Sequence, residues 1–237
     1  VSAIRIGTRG SALALAQSGQ VADAVRRATG GDVELVPIST EGDHSTASLA
    51  SLGGTGVFAS ALREALLAGE CDLVVHSLKD LPTDVFPGLR IGAIPKRADA
   101  RDALAARDGL TLDALPEGAR VGTGSPRRVA QLKRRRPDLE VLDIRGNVDT
   151  RLSRVASVPE ALEGAASSAS ATDHLDAVVL AIAGLTRLGR LDAITDFLEL
   201  GPWPTAPGQG ALAIEVRDEP PSRASGTGLD TLLKALD

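Results

Sequence analysis

The chain predicts an α/β fold of two domains, each a mainly parallel sheet flanked by helices. Three observations carry that expectation. Short apolar runs of strand character alternate with longer runs of helical period. The series breaks once, near residue 97, and then starts again. The 237 residues suffice for two compact domains, and 43% of them are hydrophobic, enough for sizeable cores. Aromatic residues supply only 2%, so those cores must be built from Ala, Val, Leu and Ile.

Residues 3–7 read as a strand and 11–28 as a helix, ended by Gly30 and Gly31. Strand 33–38 follows, then helix 58–68 closed by Gly69, a buried strand at 72–76 and another at 90–94. The stretch 94–101 (Ile-Pro-Lys-Arg-Ala-Asp-Ala-Arg) changes character. The second series comprises strand 120–123, helix 126–136, strand 140–144, helix 147–155, strand 177–182 and a helix starting at 185–188. A late strand covers 211–216. Residues 156–172 are Ala/Ser-rich and read as a surface excursion without a chemical role. A polar stretch, 218–228, reads as a linker and is followed by a short helix, 229–236. No internal repeat is evident.

Composition narrows the function classes. A single cysteine, Cys71, rules out an internal disulfide framework and fits a reducing, cytoplasmic compartment. No apolar run is long enough to span a membrane, and no secretory leader pattern opens the chain. Three scattered His and one Cys offer no metal site. A net charge of −5 and the scarcity of stacking rings argue against nucleic acid. Positive charge is nevertheless concentrated: residues 120–154 hold ten Lys or Arg against four Asp or Glu, which suggests an anionic ligand.

In open α/β sheets ligands bind beyond the carboxyl ends of strands. Those positions here carry Arg9 and Ser11, then Ser77, Lys79 and Asp80, then Thr123, Ser125, Arg127 and Arg128, then Arg145 and Gly146, and finally Arg187. Ser125-Pro126 suits the start of a helix, which places Arg127 and Arg128 in its first turn. Cations there oppose the helix dipole, a mismatch that a bound anion would remove. Lys133 to Arg136 end the same helix, where cations are favoured anyway. Arg151 flanks Gly146 together with Arg145, and the alternative for that pair is a surface contact near Asp149. Gln17 lies within reach on the first helix. The Lys79–Asp80 pair fits a general acid or base, or an ordinary surface ion pair. His76 reads as a packed core histidine. Two classes fit this pattern: an enzyme working on a polyanion, or a two-lobed, non-catalytic polycarboxylate-binding module.

Several stretches, in order, resemble one family. They are 4–17 (Ile-Arg-Ile-Gly-Thr-Arg-Gly-Ser-Ala-Leu-Ala-Leu-Ala-Gln), 75–83 (Val-His-Ser-Leu-Lys-Asp-Leu-Pro-Thr), 101–104 (Arg-Asp-Ala-Leu), 122–128 (Gly-Thr-Gly-Ser-Pro-Arg-Arg), 144–152 (Ile-Arg-Gly-Asn-Val-Asp-Thr-Arg-Leu), 183–189 (Ala-Gly-Leu-Thr-Arg-Leu-Gly) and 207–212 (Pro-Gly-Gln-Gly-Ala-Leu). Together they resemble the porphobilinogen deaminases (hydroxymethylbilane synthases) of tetrapyrrole and heme biosynthesis. The resemblance implies head-to-tail joining of four porphobilinogens into hydroxymethylbilane, with loss of ammonia, on a covalent dipyrromethane cofactor. It implies Asp80 and Lys79 as catalytic residues. Ser77, Lys79, Asp80, Thr123, Ser125, Arg127, Arg128, Gly146 and Arg151 would hold the cofactor. Arg9, Ser11, Gln17, Arg145, Arg151 and Arg187 would serve substrate or the growing chain.

The implied architecture is that of type II periplasmic binding proteins with a cleft between two lobes. Residues 1–96 with 196–237 would form the first and 97–195 the second. The family attaches its cofactor to a cysteine of a third, C-terminal domain, which the resemblance does not find here. No residue of this chain, Cys71 included, is therefore expected to carry the attachment, and the chain alone is expected to be inactive. Two local departures are Thr55 and Ser60 where many members carry lysines, and the length of 156–172. The implied protein is a cytoplasmic monomer whose partner is the small-molecule substrate, without nucleic acid, membrane or metal.

Overall fold

The computed structural model describes residues 3–39, 59–155, 174–218 and 228–237. It divides into two compact units, residues 1–98 with 210–237, and residues 99–209. The expected excursion at 156–172, Thr55, the start of helix 58–68 and most of the linker lie outside the described residues.

The first unit is a five-stranded sheet in the order β2-β1-β3-β10-β4. Its strands are β1 (Ile4–Arg9), β2 (Val33–Ile38), β3 (Leu73–Ser77), β4 (Leu89–Ala93) and β10 (Leu212–Arg217). β1 runs parallel to β2 and β3, whereas β10 is antiparallel to both β3 and β4. Helix α1 (Ala12–Thr29) starts at Ser11, whose hydroxyl accepts the Ala14 N–H at 3.3 Å. It stops at Gly30, whose φ of 66° belongs to the left-handed region that glycine adopts without strain. Val21, Ala22 and Val25 fall on one face of α1 and pack on Ile6, Leu73, Ile214 and Val216. Helix α2 (Ser60–Leu67) covers the opposite face, with Leu62 and Leu66 against Cys71, Val74 and Leu89.

The second unit repeats that plan with different residues. Its strands are β5 (Asp102–Ala106), β6 (Arg120–Gly122), β7 (Glu140–Leu142), β8 (Ala177–Ala181) and β9 (Asp196–Leu198), ordered β7-β6-β8-β5-β9. β6 is parallel to β7 and β8, and β5 is antiparallel to β8 and β9. Helices α3 (Pro126–Arg135), α4 (Val148–Leu152) and α5 (Ile182–Arg187) follow β6, β7 and β8. Leu104, Val121, Leu132, Val179 and Trp203 form the core on one face, and Ala103, Ile144, Leu152, Val178 and Leu185 that on the other. Apart from Trp203, both cores are aliphatic, as the composition requires.

One expectation needs correction. The chain returns to the first unit at Gly210, not at residue 196, because Asp196–Leu198 pairs with β5 in the second sheet. The helix α6 (Gly228–Leu236) belongs to the first unit. Leu232, Leu233 and Leu236 are buried in the same core as α1. In addition, the Asp237 carboxylate accepts the Ile94 N–H at 2.8 Å. Strands β5 and β9 were not legible as strands at all. Asp-Ala-Leu-Ala-Ala has no β-branched or aromatic residue, and β5 exists because pairing on both edges and burial on both faces override its weak propensity.

Close packing of strands and the segments flanking them depends on glycine at two matched positions. A Cβ on Gly7 of β1 would stand 2.7 Å from Val74 Cγ1 and 2.8 Å from Cys71 Sγ, and one on Gly122 of β6 would stand 2.5 Å from Leu175 Cδ1. Gly122→Ala is expected to destabilise the second unit by about 1–3 kcal/mol through overpacking. Urea unfolding would read this as a lower midpoint at unchanged m, and a midpoint equal to wild type would refute it.

Candidate functional site

In the first unit, β1 and β3 are parallel neighbours, so the residues following them emerge at one edge of the sheet. Arg9, Gln17, His76, Ser77 and Asp80 line a pocket there with Ala14, Ala59, Leu62 and Val75. The Gln17 amide donates to Ser77 Oγ at 2.8 Å, tying α1 to the end of β3. Lys79 and Asp80 form a single 3₁₀ turn after β3, Leu78–Asp80. Asp80 is exposed as a residue, yet it lines this pocket, where its carboxyl gives up part of its hydration. That desolvation pushes its carboxyl above the usual range, against the opposing pull of Lys79, Arg9 and His76. A carboxyl held in this way retains its proton at higher pH than a surface aspartate. Ser11 serves as the N-cap of α1.

In the second unit, β6, β7 and β8 are parallel and bring Thr123–Arg128, Arg145–Arg151 and α5 to one edge. Asp102 opens the reversed strand β5 opposite Ala181 and so lies at that edge too. It is fully buried. Arg127 Nη2 donates to its Oδ2 at 2.8 Å and Arg128 Nη2 to its Oδ1 at 2.6 Å. Trp203 Nε1 adds a bond to Oδ2 at 3.0 Å, and Gln209 Nε2 one to Oδ1 at 2.7 Å. Burial by itself would raise the Asp102 carboxyl, but Arg128 and Arg127 outweigh it and hold the group well below the usual carboxylate range.

This network changes the reading of Arg127 and Arg128. An anion does meet the first turn of α3, and it is the chain's own Asp102. Arg127 also donates to Pro204 O at 2.8 Å and Arg128 to Val179 O at 2.9 Å. Both guanidiniums are thus fixed in place rather than loose. Their Nε–H groups remain buried without an acceptor. Ser125 occupies the N-cap position, but its side chain makes no capping bond, and its N–H donates to Thr123 Oγ1 at 3.3 Å. The Ser125 hydroxyl is therefore not used by the helix it precedes.

Arg145, Gly146 and Arg151 complete this edge. Gly146 has a φ of 103°, in the region reserved for glycine, and a Cβ there would lie 2.8 Å from Thr150 Cγ2. Its carbonyl accepts Arg151 Nε at 2.8 Å. Asp149, the alternative partner for this pair, instead bonds Arg190 Nε at 3.0 Å. Burial first, and then the cations Arg128 and Arg145, disfavour the charged form of Arg151, with Asp143 a lesser opposing influence. Burial likewise disfavours the charge on Arg187. A group of arginines whose charge is disfavoured by desolvation and by one another is suited to a carboxylate-bearing guest. The buried, acceptor-less Nε–H groups and the uncommitted Ser125 hydroxyl fit the same kind of guest.

The other cationic run is structural. Arg135 pairs with Asp113 at 2.7 Å, and Arg136 with Asp138 at 2.6 Å and with the carbonyls of Leu112 and Leu115. Cys71 is fully buried beneath Gly7, and its thiol is pushed up to about 11 by desolvation, which leaves it unreactive. Among the described residues no group of His, Cys, Asp or Glu could hold a metal ion, and no helix is long and apolar enough to cross a membrane. Asp102, Trp203 and Gln209 were missed as a unit by sequence reasoning. A signal was present: the chain's one Trp needs an acceptor when buried, and an Asp heading an Ala-Leu-Ala-Ala run needs donors.

Comparison with known proteins supplies a family. Residues 4–224 match a family model described as porphobilinogen deaminase, dipyromethane cofactor binding domain. The porphobilinogen deaminase of Leifsonia xyli subsp. xyli is 67% identical over 216 residues, covering 91% of this chain and 61% of that protein. That of Micrococcus luteus is 61% identical over 220 residues, covering 92% and 58%. The chain thus spans about 60% of the length of these relatives. Among solved structures, the methionine binding protein MetQ aligns with a TM-score of 0.53 at 14% identity, covering 98% of this chain and 89% of that one. A periplasmic substrate-binding protein from Coxiella burnetii aligns at 0.51 and 14%, covering 98% and 91%. These two likenesses establish the fold as that of the two-lobed binding proteins.

The Asp102 network yields a prediction about stability. Asp102→Asn leaves the buried Arg128 and the partly buried Arg127 without their anion and is expected to cost about 3–5 kcal/mol. In the wild type the carboxyl titrates lower when folded than when unfolded. Its stabilisation is therefore fully present above about pH 4 and is lost as the pH falls through the folded-state value. Thermal denaturation of both proteins from pH 7 downward checks this. The wild-type advantage should shrink on acidification, and a pH-independent gap would contradict the assignment.

Proposed function

Because the chain belongs to the porphobilinogen deaminase family, we propose that its two units are the binding and catalytic part of a hydroxymethylbilane synthase, a transferase that polymerises four porphobilinogens head to tail and releases ammonia. The observation that carries this reading is the division of labour between two strand edges. One offers a desolvated carboxyl, Asp80, beside Arg9, Gln17 and Ser77. The other offers a cluster of guanidiniums in which Arg128 and Arg145 bear on the partly buried Arg151.

Each residue then has a physical task. Asp80 gives its proton to the departing amino nitrogen, which leaves as ammonia. The carboxylate so formed faces the positive charge left on the pyrrole and takes up the ring proton released when the new carbon–carbon bond is made. Lys79 keeps that carboxyl from rising too far. Ser77, Lys79, Asp80, Thr123, Ser125, Arg127, Arg128, Gly146 and Arg151 hold the dipyrromethane, and Arg9, Ser11, Gln17, Arg145, Arg151 and Arg187 hold the acetate and propionate groups of substrate and product. When bound, the dipyrromethane supplies the nucleophilic pyrrole carbon from which the chain grows. Arg127 and Arg128 contribute as rigid donors positioned by Asp102, and Arg145 and Arg151 contribute charge. The single buried Cys71 and the net charge of −5 fit a cytoplasmic monomer that does not bind nucleic acid.

Two variants of the full-length enzyme containing this chain test the reading. Asp80→Asn should lower porphobilinogen consumption by about 10²–10⁴-fold at unchanged melting temperature; turnover near the wild-type rate would remove Asp80 from the reaction. Arg151→Leu should fold, because the side-chain hydrogen bond described for Arg151 goes to the nearby Gly146 carbonyl, yet fail to retain the dipyrromethane. Mass spectrometry of the purified protein reads this directly, and a full complement of adduct would contradict the assignment. The double variant Arg127→Ala, Arg128→Ala is a poorer probe, since it also strands Asp102.

A further inference from the structure

We infer that Trp203 is a positioning residue for Arg127: its indole N–H and the carbonyl of the adjoining Pro204 fix the direction in which that guanidinium faces a carboxylate-bearing guest. The inference deepens the reading that Arg127 helps to hold the dipyrromethane, and rests on it.

The local sequence stiffens the segment that carries this ring. Pro202 and Pro204 flank Trp203, and Pro207 follows closely. Each proline fixes its own φ, and Pro204 also confines the residue before it. The Trp203 backbone N–H donates to the Glu199 carbonyl at 3.0 Å, which removes further freedom. The indole is fully buried and shares the core of the second unit with Leu104, Leu112, Leu132 and Val179. A ring held in this way has one orientation, and its Nε1–H meets Asp102 Oδ2 at 3.0 Å.

Arg127 meets this segment twice. Its Nη2 donates to the same Oδ2 at 2.8 Å and its Nη1 to the Pro204 carbonyl at 2.8 Å. Trp203 therefore steadies one acceptor through space and is bonded through the chain to the other. Arg128 is held otherwise, by Asp102 Oδ1 at 2.6 Å and by the Val179 carbonyl of β8 at 2.9 Å. Exposure separates the two as well. The Arg127 side chain keeps 25% of its surface open, whereas that of Arg128 keeps 7%. Arg127 is thus the guanidinium of the pair that a guest can reach. A planar set of donors selects one carboxylate direction only while it does not turn. Among the hydrogen bonds described for Oδ2, the indole supplies the one that does not come from Arg127. Without it, that oxygen would lean on the very group it has to steer.

The test uses full-length enzyme labelled with ¹⁵N at arginine, with the Arg127 side-chain signals assigned by their loss in Arg127→Lys. In the wild type the two Nη groups of Arg127 should give separate signals, because rotation of the guanidinium is slow. Trp203→Phe keeps a ring in the core but no N–H. There the rotation should speed up by about tenfold, while the Arg128 signals stay as they were. The fraction of protein carrying the dipyrromethane, read by mass spectrometry, should fall with it. Replacement of Trp203 by 3-benzothienylalanine, in which sulfur takes the place of the N–H at nearly constant shape, gives the same comparison should phenylalanine unfold the protein. Averaged Nη signals for wild-type Arg127 overturn the proposal, as does unchanged rotation in the Trp203 variants. Equal loosening of Arg127 and Arg128 also overturns it, since Trp203 would then act as core packing alone. A full complement of adduct in the Trp203 variants beside its loss in Arg127→Lys overturns it too. Should Arg127 loosen while Arg127→Lys retains the adduct in full, the positioning stands and only the assignment of Arg127 to the dipyrromethane fails.

Discussion

The second unit is organised around one buried carboxylate. Asp102 accepts four hydrogen bonds, two on each oxygen, from the first turn of α3 and from a segment about a hundred residues away in sequence. Burying a charge is favourable only when every lone pair is met, and here each is. At the same sheet edge Arg128 and Arg145 bear on Arg151, with Asp143 opposing them. Asp102 thus fixes two of the guanidiniums of that edge in the frame. A helix N-terminus bearing two loose arginines would be a mobile charge; one bearing two clamped arginines is a template of fixed donors.

Much of this was legible in the sequence, because the relevant signals are local. Strand ends followed by Gly, Ser or Arg, the Ser-Pro start of α3 and the Gly-Asn start of α4 are each contained in a few residues, and each fell where the fold placed it. Long-range pairing was not legible. Nothing near Arg127 announces that its anion lies 25 residues back, so an internal carboxylate and an external ligand give the same one-dimensional pattern. His76 read as a core histidine and is indeed buried, but its approach to Glu215 depends on a strand that returns 139 residues later. The strands β5 and β9 failed for a related reason. The conformation of β5 comes from its neighbours, and at three residues β9 is too short to show a period of its own.

The two sheets share an order and a reversed strand, although no repeat is visible along the chain. What recurs is burial on both faces and glycine where neighbouring strand and loop side chains approach closely, as at Gly7 and Gly122. Those requirements are satisfied by many sequences. The two edges have meanwhile diverged in chemistry: the first unit carries a carboxyl of raised affinity for its proton, and the second carries clustered guanidiniums. A carboxyl and a cluster of guanidiniums thus sit on two sheets of the same strand plan.

The position of β10 has a consequence for how the polypeptide matures on the ribosome. Residues 99–209 form an uninterrupted unit and have all their partners as soon as they emerge. The first sheet does not: β3 and β4 meet only through β10, and α6 completes the core beneath them. The N-terminal segment must therefore wait, with a gap in its sheet and apolar surface uncovered, until the later unit has been synthesised. In vectorial synthesis the half that emerges first is the half that closes last.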